Sequence, residues 1–157
     1  MITLRDVAAS DWDRYSRWEN DTRLSGYLSR TCPKGCDALT YDPSKTGWFM
    51  ISAEGQDIGA VWLEKDPEDP VAAILGIFIL EDSHRGKGAG RTAIEEAIRI
   101  SRKRFSFDKV KLNVRKSNLR ALNCYLRCGF LVLSEGRKWT SDGTQIEYYT
   151  MERKMEG

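Results

Sequence analysis

The chain is most constrained by a change of period midway along it. Val71 to Leu80 (VAAILGIFIL) is almost continuously apolar, as expected of a central strand buried on both faces. Shortly after it, Arg85-Gly86-Lys87-Gly88-Ala89-Gly90 opens a helical pattern that runs to about Phe105. Ala89, Ala93, Ile94, Ala97, Ile98 and Ile100 form its apolar stripe, and Glu95, Glu96, Arg99, Arg102 and Lys103 lie largely opposite. Strand, glycine-rich turn and helix together make an anion grip. The N–H groups of a helix start point outward, and the helix dipole favours negative charge there. Glycines allow the tight turn and leave no Cβ between backbone and ligand. Arg85 and Lys87 add positive charge beside those amides. The plainer readings are a chain reversal and a solvated surface pair.

The flanking sequence reads as a mixed α/β domain with one sheet. Ile2 to Val7 is a short strand, and Ser10-Asp11 are helix-start residues. Trp12, Tyr15, Trp18, Leu24, Tyr27 and Leu28 suit one or two amphipathic helices up to about Arg30. Ser29 to Thr46 has turn formers and no sustained period, the character of a lid or binding loop. Trp48–Ser52 and Ile58–Leu63 form a hairpin about Ala53-Glu54-Gly55-Gln56, and Asp66 to Pro70 is a second turn. After the central helix come a strand (Lys109–Val114) and a helix that starts at Ser117-Asn118 and runs through Arg127. Gly129 sits where a left-handed residue ends a helix. Two last strands, Phe130–Glu135 and Gln145–Arg153, are joined through Asp142-Gly143.

Composition narrows the partners. A chain of 157 residues fits one domain, spanning 1–157, and needs no disulfide or metal staple. Lys+Arg of 25 against Asp+Glu of 23 gives +2, with no basic stripe, which disfavours nucleic acid. No apolar run spans a membrane and Met1–Trp12 lacks a signal-peptide core, so a cytoplasmic protein is expected. Cys32/Cys36 and Cys124/Cys128 are spaced too widely for the usual zinc knuckle, and His84 is the only histidine. Reduced structural thiols and no metal are expected.

The phosphate ligand is neither of the commonest kinds. No Gly-x-x-x-x-Gly-Lys-Ser/Thr string occurs, and Gly86-x-Gly88-x-Gly90 departs from the dinucleotide fingerprint in spacing and in position after a run of hairpins. Arg85-Gly-Lys-Gly88-Ala-Gly90 instead resembles motif A of the GNAT N-acetyltransferase superfamily, which cradles the pyrophosphate of acetyl-CoA. Asn118-Leu-Arg-Ala-Leu-Asn-Cys-Tyr125-Leu-Arg-Cys-Gly129-Phe130 resembles the same family's Asn-x-x-Ala-x-x-x-Tyr-x-x-x-Gly-Phe element. The resemblance is detailed from Val71 to about Glu135 and extends over the chain in element order.

The resemblance implies a single, mostly antiparallel mixed sheet flanked by helices, with a splayed central strand pair. It implies acetyl transfer from acetyl-CoA to a primary amine of a small molecule or a protein N-terminus. Phe78, Ile79 and Leu80 would meet the pantetheine arm through backbone, and Arg85, Gly86, Lys87, Gly88, Ala89 and Gly90 the pyrophosphate. Asn118 would contact the cofactor, with plain helix capping as the alternative. Tyr125 would be the general acid that protonates the departing thiolate, with a packed core tyrosine as the alternative. Where some relatives place a glutamate base, this sequence has Asn113, so no base is assigned. Glu64, Glu81 and Asp82 with Trp48 and Trp62 are candidates to receive a cationic amine, the tryptophans being equally suited to a core. A homodimer through exposed sheet edges fits the family. The rival reading is an acetyl-CoA-binding sensor without turnover.

Overall fold

Ile2–Asp6, Thr46–Ala53, Gln56–Asp66 and Asp69–Ile79 (β1 to β4) build an antiparallel meander, with β2 and β3 buried on both faces. Lys109–Arg115 (β5), Leu131–Trp139 (β6) and Gln145–Lys154 (β7) complete a seven-stranded sheet in the order β1-β2-β3-β4-β5-β7-β6. Only β4 and β5 are parallel. The helices are Trp12–Glu19 (α1, after a 3-10 turn at Ala9–Asp11), Ala89–Arg102 (α2) and Leu119–Arg127 (α3). The computed structural model describes residues 1–19, 30–34, 40–80 and 88–156. The second half of the Trp12–Arg30 helical pattern, together with Glu81, Asp82, His84, Arg85, Gly86 and Lys87, lies outside them. So does Cys36. Among the described residues no helix is long and apolar enough to cross a membrane, and no cluster of His, Cys, Asp and Glu has metal-ligand geometry.

Each face of the sheet carries its own core. Phe49, Ile51, Val61, Leu63, Ala73 and Leu75 meet Ala93, Ile94, Ala97 and Ile98 of α2 on one side. This is the expected apolar stripe of α2, buried as read. On the other side Trp48, Met50, Ala60, Trp62, Phe78 and Leu80 pack with Tyr15 and, at the margin, Trp12 and Trp18 of α1. Trp48 is fully buried and its Nε1 donates to the Tyr15 hydroxyl at 3.0 Å. That hydroxyl in turn donates to the carbonyl of Thr31. Trp48 is therefore a core residue and not part of an acceptor wall.

Several boundaries move for physical reasons. Glu54 and Gly55 both adopt positive φ (52° and 80°), the two-residue primed turn that matches strand twist. Both strands of the next hairpin run into the proline cluster, so β4 starts at Asp69 and not at Val71. The helix after the glycine turn stops at Arg102, short of Phe105. There Lys103 and Arg104 donate to the Ile100 and Ser101 carbonyls three residues back, the tightened last turn of a helix. The strand read as Phe130–Glu135 runs on to Trp139, because every residue from Gly136 to Trp139 has a partner on β7.

The unpatterned segment before β2 is tied down at both described ends. Arg30 Nη1 and the Lys34 amide both bond the Glu64 carboxylate, at 3.0 and 2.8 Å. Tyr41 donates to Asp6 at 2.6 Å, and Asp6 also takes a bidentate pair from Arg104 at 2.8 and 2.9 Å. The guanidinium of Arg104 holds the Asp6 carboxyl below its usual range.

Candidate active site at the strand splay

The site begins where β4 and β5 part. They pair only from Ala72–Lys109 to Ile74–Lys111, although β4 continues to Ile79 and β5 to Arg115. The other edge of β4 stays bonded to β3 as far as Gly59–Ile79. Beyond Ile74, then, β4 is an edge strand inside a sheet. The phase of its hydrogen bonds says which groups face the opening. Leu80 N–H donates to Ile58 O at 2.8 Å, and Val71 O accepts from Asp108 on the β5 side at 2.7 Å. Backbone groups alternate along a strand. Phe78 and Leu80 thus spend their N–H groups on β3, while Leu75, Ile77 and Ile79 turn theirs to the side that β5 has left. Of the three residues expected to meet a pantetheine arm, Ile79 has the right phase. The side chains of Phe78 and Leu80 lie in the aromatic core.

Helix α2 begins at the mouth of this opening. Gly88 is its N-cap, with φ +82°, a left-handed conformation that glycine adopts without penalty. Among the described residues, a Cβ there would meet no atom within 4 Å. The N–H groups of the first turn, Ala89 and Gly90 among them, have no acceptor within the helix. Gly90 marks the convergence of three elements: a Cβ on it would lie 3.2 Å from Cys124 Sγ of α3 and 3.9 Å from Ile79 Cδ1 of β4. The end of β4, the start of α2 and the body of α3 meet there.

Helix α3 supplies the titratable side chain. Asn118 caps it, its side-chain oxygen accepting from the Ala121 amide at 3.3 Å. Gly129, at φ +92°, ends it, and the Phe130 amide returns to the Tyr125 carbonyl at 3.0 Å. Tyr125 is buried, its ring edge-on to Phe130 with centroids 6.0 Å apart. Burial raises its phenol above the ordinary tyrosine pKa, with smaller contributions from the charges of Cys124 and Cys128. A phenol so held is neutral at every physiological pH. It has a proton to give and no tendency to act as a base.

The remaining expected groups are placed as follows. Asn113 of β5 accepts from the Thr150 hydroxyl at 2.8 Å. Glu64 is committed to Arg30 and Lys34, so it is not available as an anionic socket for an amine. The hydrogen bond with Cys124, together with burial, pushes the Cys128 thiol up, the mark of an inert thiol. Sequence reading missed Arg91, an exposed cation in the first turn of α2. Its position one residue past the glycines was the available signal.

Comparison with known proteins agrees with this fold. The sequence model of the Acetyltransferase (GNAT) family matches residues 8–130. Spermidine N-acetyltransferase from Vibrio cholerae, solved with CoA and spermine, superposes with a TM-score of 0.78 at 23% identity, over 98% of this chain and 95% of that one. An aminoglycoside acetyltransferase in complex with coenzyme A gives 0.73 at 20% identity, over 98% and 95%. An acetyltransferase of GNAT family from Streptococcus pneumoniae gives 0.73 at 15% identity, over 99% and 100%.

Proposed function

The chain belongs to the GNAT acetyltransferase family, and from that premise we propose that it moves the acetyl group of acetyl-CoA to a primary amine, with Tyr125 as general acid. One observation carries the reading: an internal edge of β4, the N-terminus of α2 and the body of α3, the helix that bears Tyr125, converge at Gly90. The fit to an acetyl-CoA-sized ligand rests on the clearance at Gly88 among the described residues and on the withdrawn β5.

Acetyl-CoA supplies an activated thioester. The chain's own groups then have distinct tasks. The α2 amides, Gly88 and Gly90 hold the pyrophosphate, with Arg85, Gly86 and Lys87 as further contributors from the same motif. The backbone of Ile79 aligns the pantetheine arm as a β5 strand would. Asn118 fixes the start of α3 and so the height of Tyr125 two turns on, which makes its cofactor contact secondary to its cap. Tyr125 delivers its proton to the departing sulfur. With Glu64 taken up by Arg30 and Lys34, and Asn113 in place of a glutamate, the amine enters neutral or loses its proton to water.

The reading is tested by a thiol-release screen with acetyl-CoA against polyamines, aminoglycosides, amino acids and peptide N-termini. Release that depends on one of these amines is the expected result. Tight acetyl-CoA binding with no release for any amine favours the sensor. The setting is cytoplasmic, where acetyl-CoA and reduced thiols are both found. A homodimer has a seat on β6, the sheet edge, where Leu131, Leu133 and Trp139 are exposed. Sedimentation should give twice the chain mass, and Leu133→Lys should halve it. A monomeric wild-type protein would remove the dimer.

A further inference from the structure

Two thiols that acetyl transfer does not use meet at the end of α3. Cys124 is half-buried, and Cys128, the C-cap of the helix, is buried. They stand one turn apart and so share a helix face, with their thiols hydrogen-bonded to each other. Cys124 is also the side chain at which α2, α3 and β4 converge, its Sγ 3.2 Å from where a Cβ on Gly90 would lie. Tyr125 follows it directly in the chain.

The pair is chemically unequal. The hydrogen bond from Cys128 first, and then the charges of Arg127 and Arg91, outweigh burial and hold the Cys124 thiol below its ordinary range. The same hydrogen bond, together with burial, pushes the Cys128 thiol up, so Cys128 keeps its proton. Solvent reaches Cys124 in part and Cys128 hardly at all. One sulfur is placed to attack an oxidant, and the other to close on the product.

We infer that Cys124 is a modification site for hydrogen peroxide, that it closes to a disulfide with Cys128, and that the closed form is slow in acetyl transfer. The Cys124 thiolate attacks one peroxide oxygen and the O–O bond breaks. Sulfur is oxidised to a sulfenic acid, and the departing hydroxide takes up the proton that the thiol had shed. The Cys128 sulfur then attacks the Cys124 sulfur. The S–O bond breaks, and hydroxide leaves with the Cys128 proton as water. Two thiols are oxidised to one disulfide, and one peroxide is reduced to two waters.

Helix geometry says what this does to the site. Four residues of helix set the Cα atoms about 6 Å apart, inside the roughly 4.4–6.8 Å that disulfides span. Their Cβ atoms stand about 5–6 Å apart, against the roughly 3.8 Å of a disulfide. The last turn of α3 must therefore tighten. The Cys128 amide closes that turn on the carbonyls of Cys124 and Tyr125, at 3.0 and 3.1 Å, and the Phe130 amide returns to Tyr125 at 3.0 Å. Drawing Cys128 inward disturbs the bonds that hold the backbone of Tyr125. The loss of activity rests on the transferase reading above, and the disulfide does not.

The test treats the reduced full-length chain with hydrogen peroxide, blocks the remaining thiols with iodoacetamide and maps the protein with trypsin. Trypsin cuts after Arg120, Arg127 and Arg137, so the disulfide joins two separate peptides, 121–127 and 128–137. Joined peptides that dithiothreitol separates are the expected result. Cys128→Ser should abolish the link and leave a sulfenic acid on Cys124 that dimedone labels. Acetyl transfer by the wild type should fall at least about tenfold on oxidation and return with dithiothreitol. Cys124→Ser should lose no rate to peroxide. A peroxide-treated wild type whose 121–127 and 128–137 peptides stay separate and alkylated overturns the inference. So does a linked protein that transfers acetyl at the reduced rate. If no amine is acetylated even before peroxide, the transferase reading fails instead, and the peptide map alone decides the modification site.

Discussion

Gly88→Val should lose at least about 100-fold in acetyl-CoA affinity while the rest of the chain stays folded. Two effects combine. At φ +82° a β-branched residue is a steric outlier, so the first turn of α2 must change its path. The new side chain also adds atoms at the helix start. Charge-assisted bonds from backbone N–H to an anion contribute about 1.5–3 kcal/mol each, so losing two exceeds a hundredfold. Gly88→Asn separates the effects, since asparagine tolerates the left-handed region but still places atoms in the way. It should fold like wild type in thermal denaturation and bind acetyl-CoA nearly as poorly as the valine variant. Calorimetry that finds unchanged affinity in both variants removes the pyrophosphate from this turn.

Tyr125→Phe should slow the single-turnover acetyl transfer by roughly 10²–10⁴, with acetyl-CoA affinity little changed. The ring stays, so its packing on Phe130 stays, and only the hydroxyl proton is lost. Single-turnover rates are needed because product release can mask the chemical step. The pH profile is a second readout. Burial raises the phenol, so the acid form persists past the ordinary tyrosine range near 10. The transfer rate should therefore show no fall with rising pH up to about 9 that Tyr125→Phe abolishes. A Tyr125→Phe rate equal to wild type would make Tyr125 a packing residue.

How much of this was legible in the sequence depends on whether the deciding interaction is local. Gly88 and Gly129 were readable because positive φ imposes a residue type wherever it occurs. The α2 stripe was readable because helical burial repeats every three to four residues. Strand β6 was half legible: Ser134 to Lys138 has no apolar alternation, and these residues are held by β7, with Gly136 leaving room for the Tyr148 ring. The splay was not readable from residues 71–80 at all, since it is a relation between two strands thirty-odd residues apart in the chain. From the residues alone it came only through resemblance. The acceptor wall misled for a similar reason. Glu64 looked like a socket for a cation, but Arg30 and Lys34, distant in sequence, had already taken its oxygens. Trp62 looked like core, and by burial it is. What the sequence concealed is that its nitrogen has no hydrogen-bond partner among the described residues.

The most direct test is a crystal structure with acetyl-CoA bound. The pyrophosphate should lie on the amides that follow Gly88, and the pantetheine arm should run along the β5-facing side of Ile77 and Ile79. The thioester sulfur should come within about 3–3.5 Å of the Tyr125 hydroxyl. A cofactor seated elsewhere on the sheet, or a sulfur turned away from Tyr125, would contradict this.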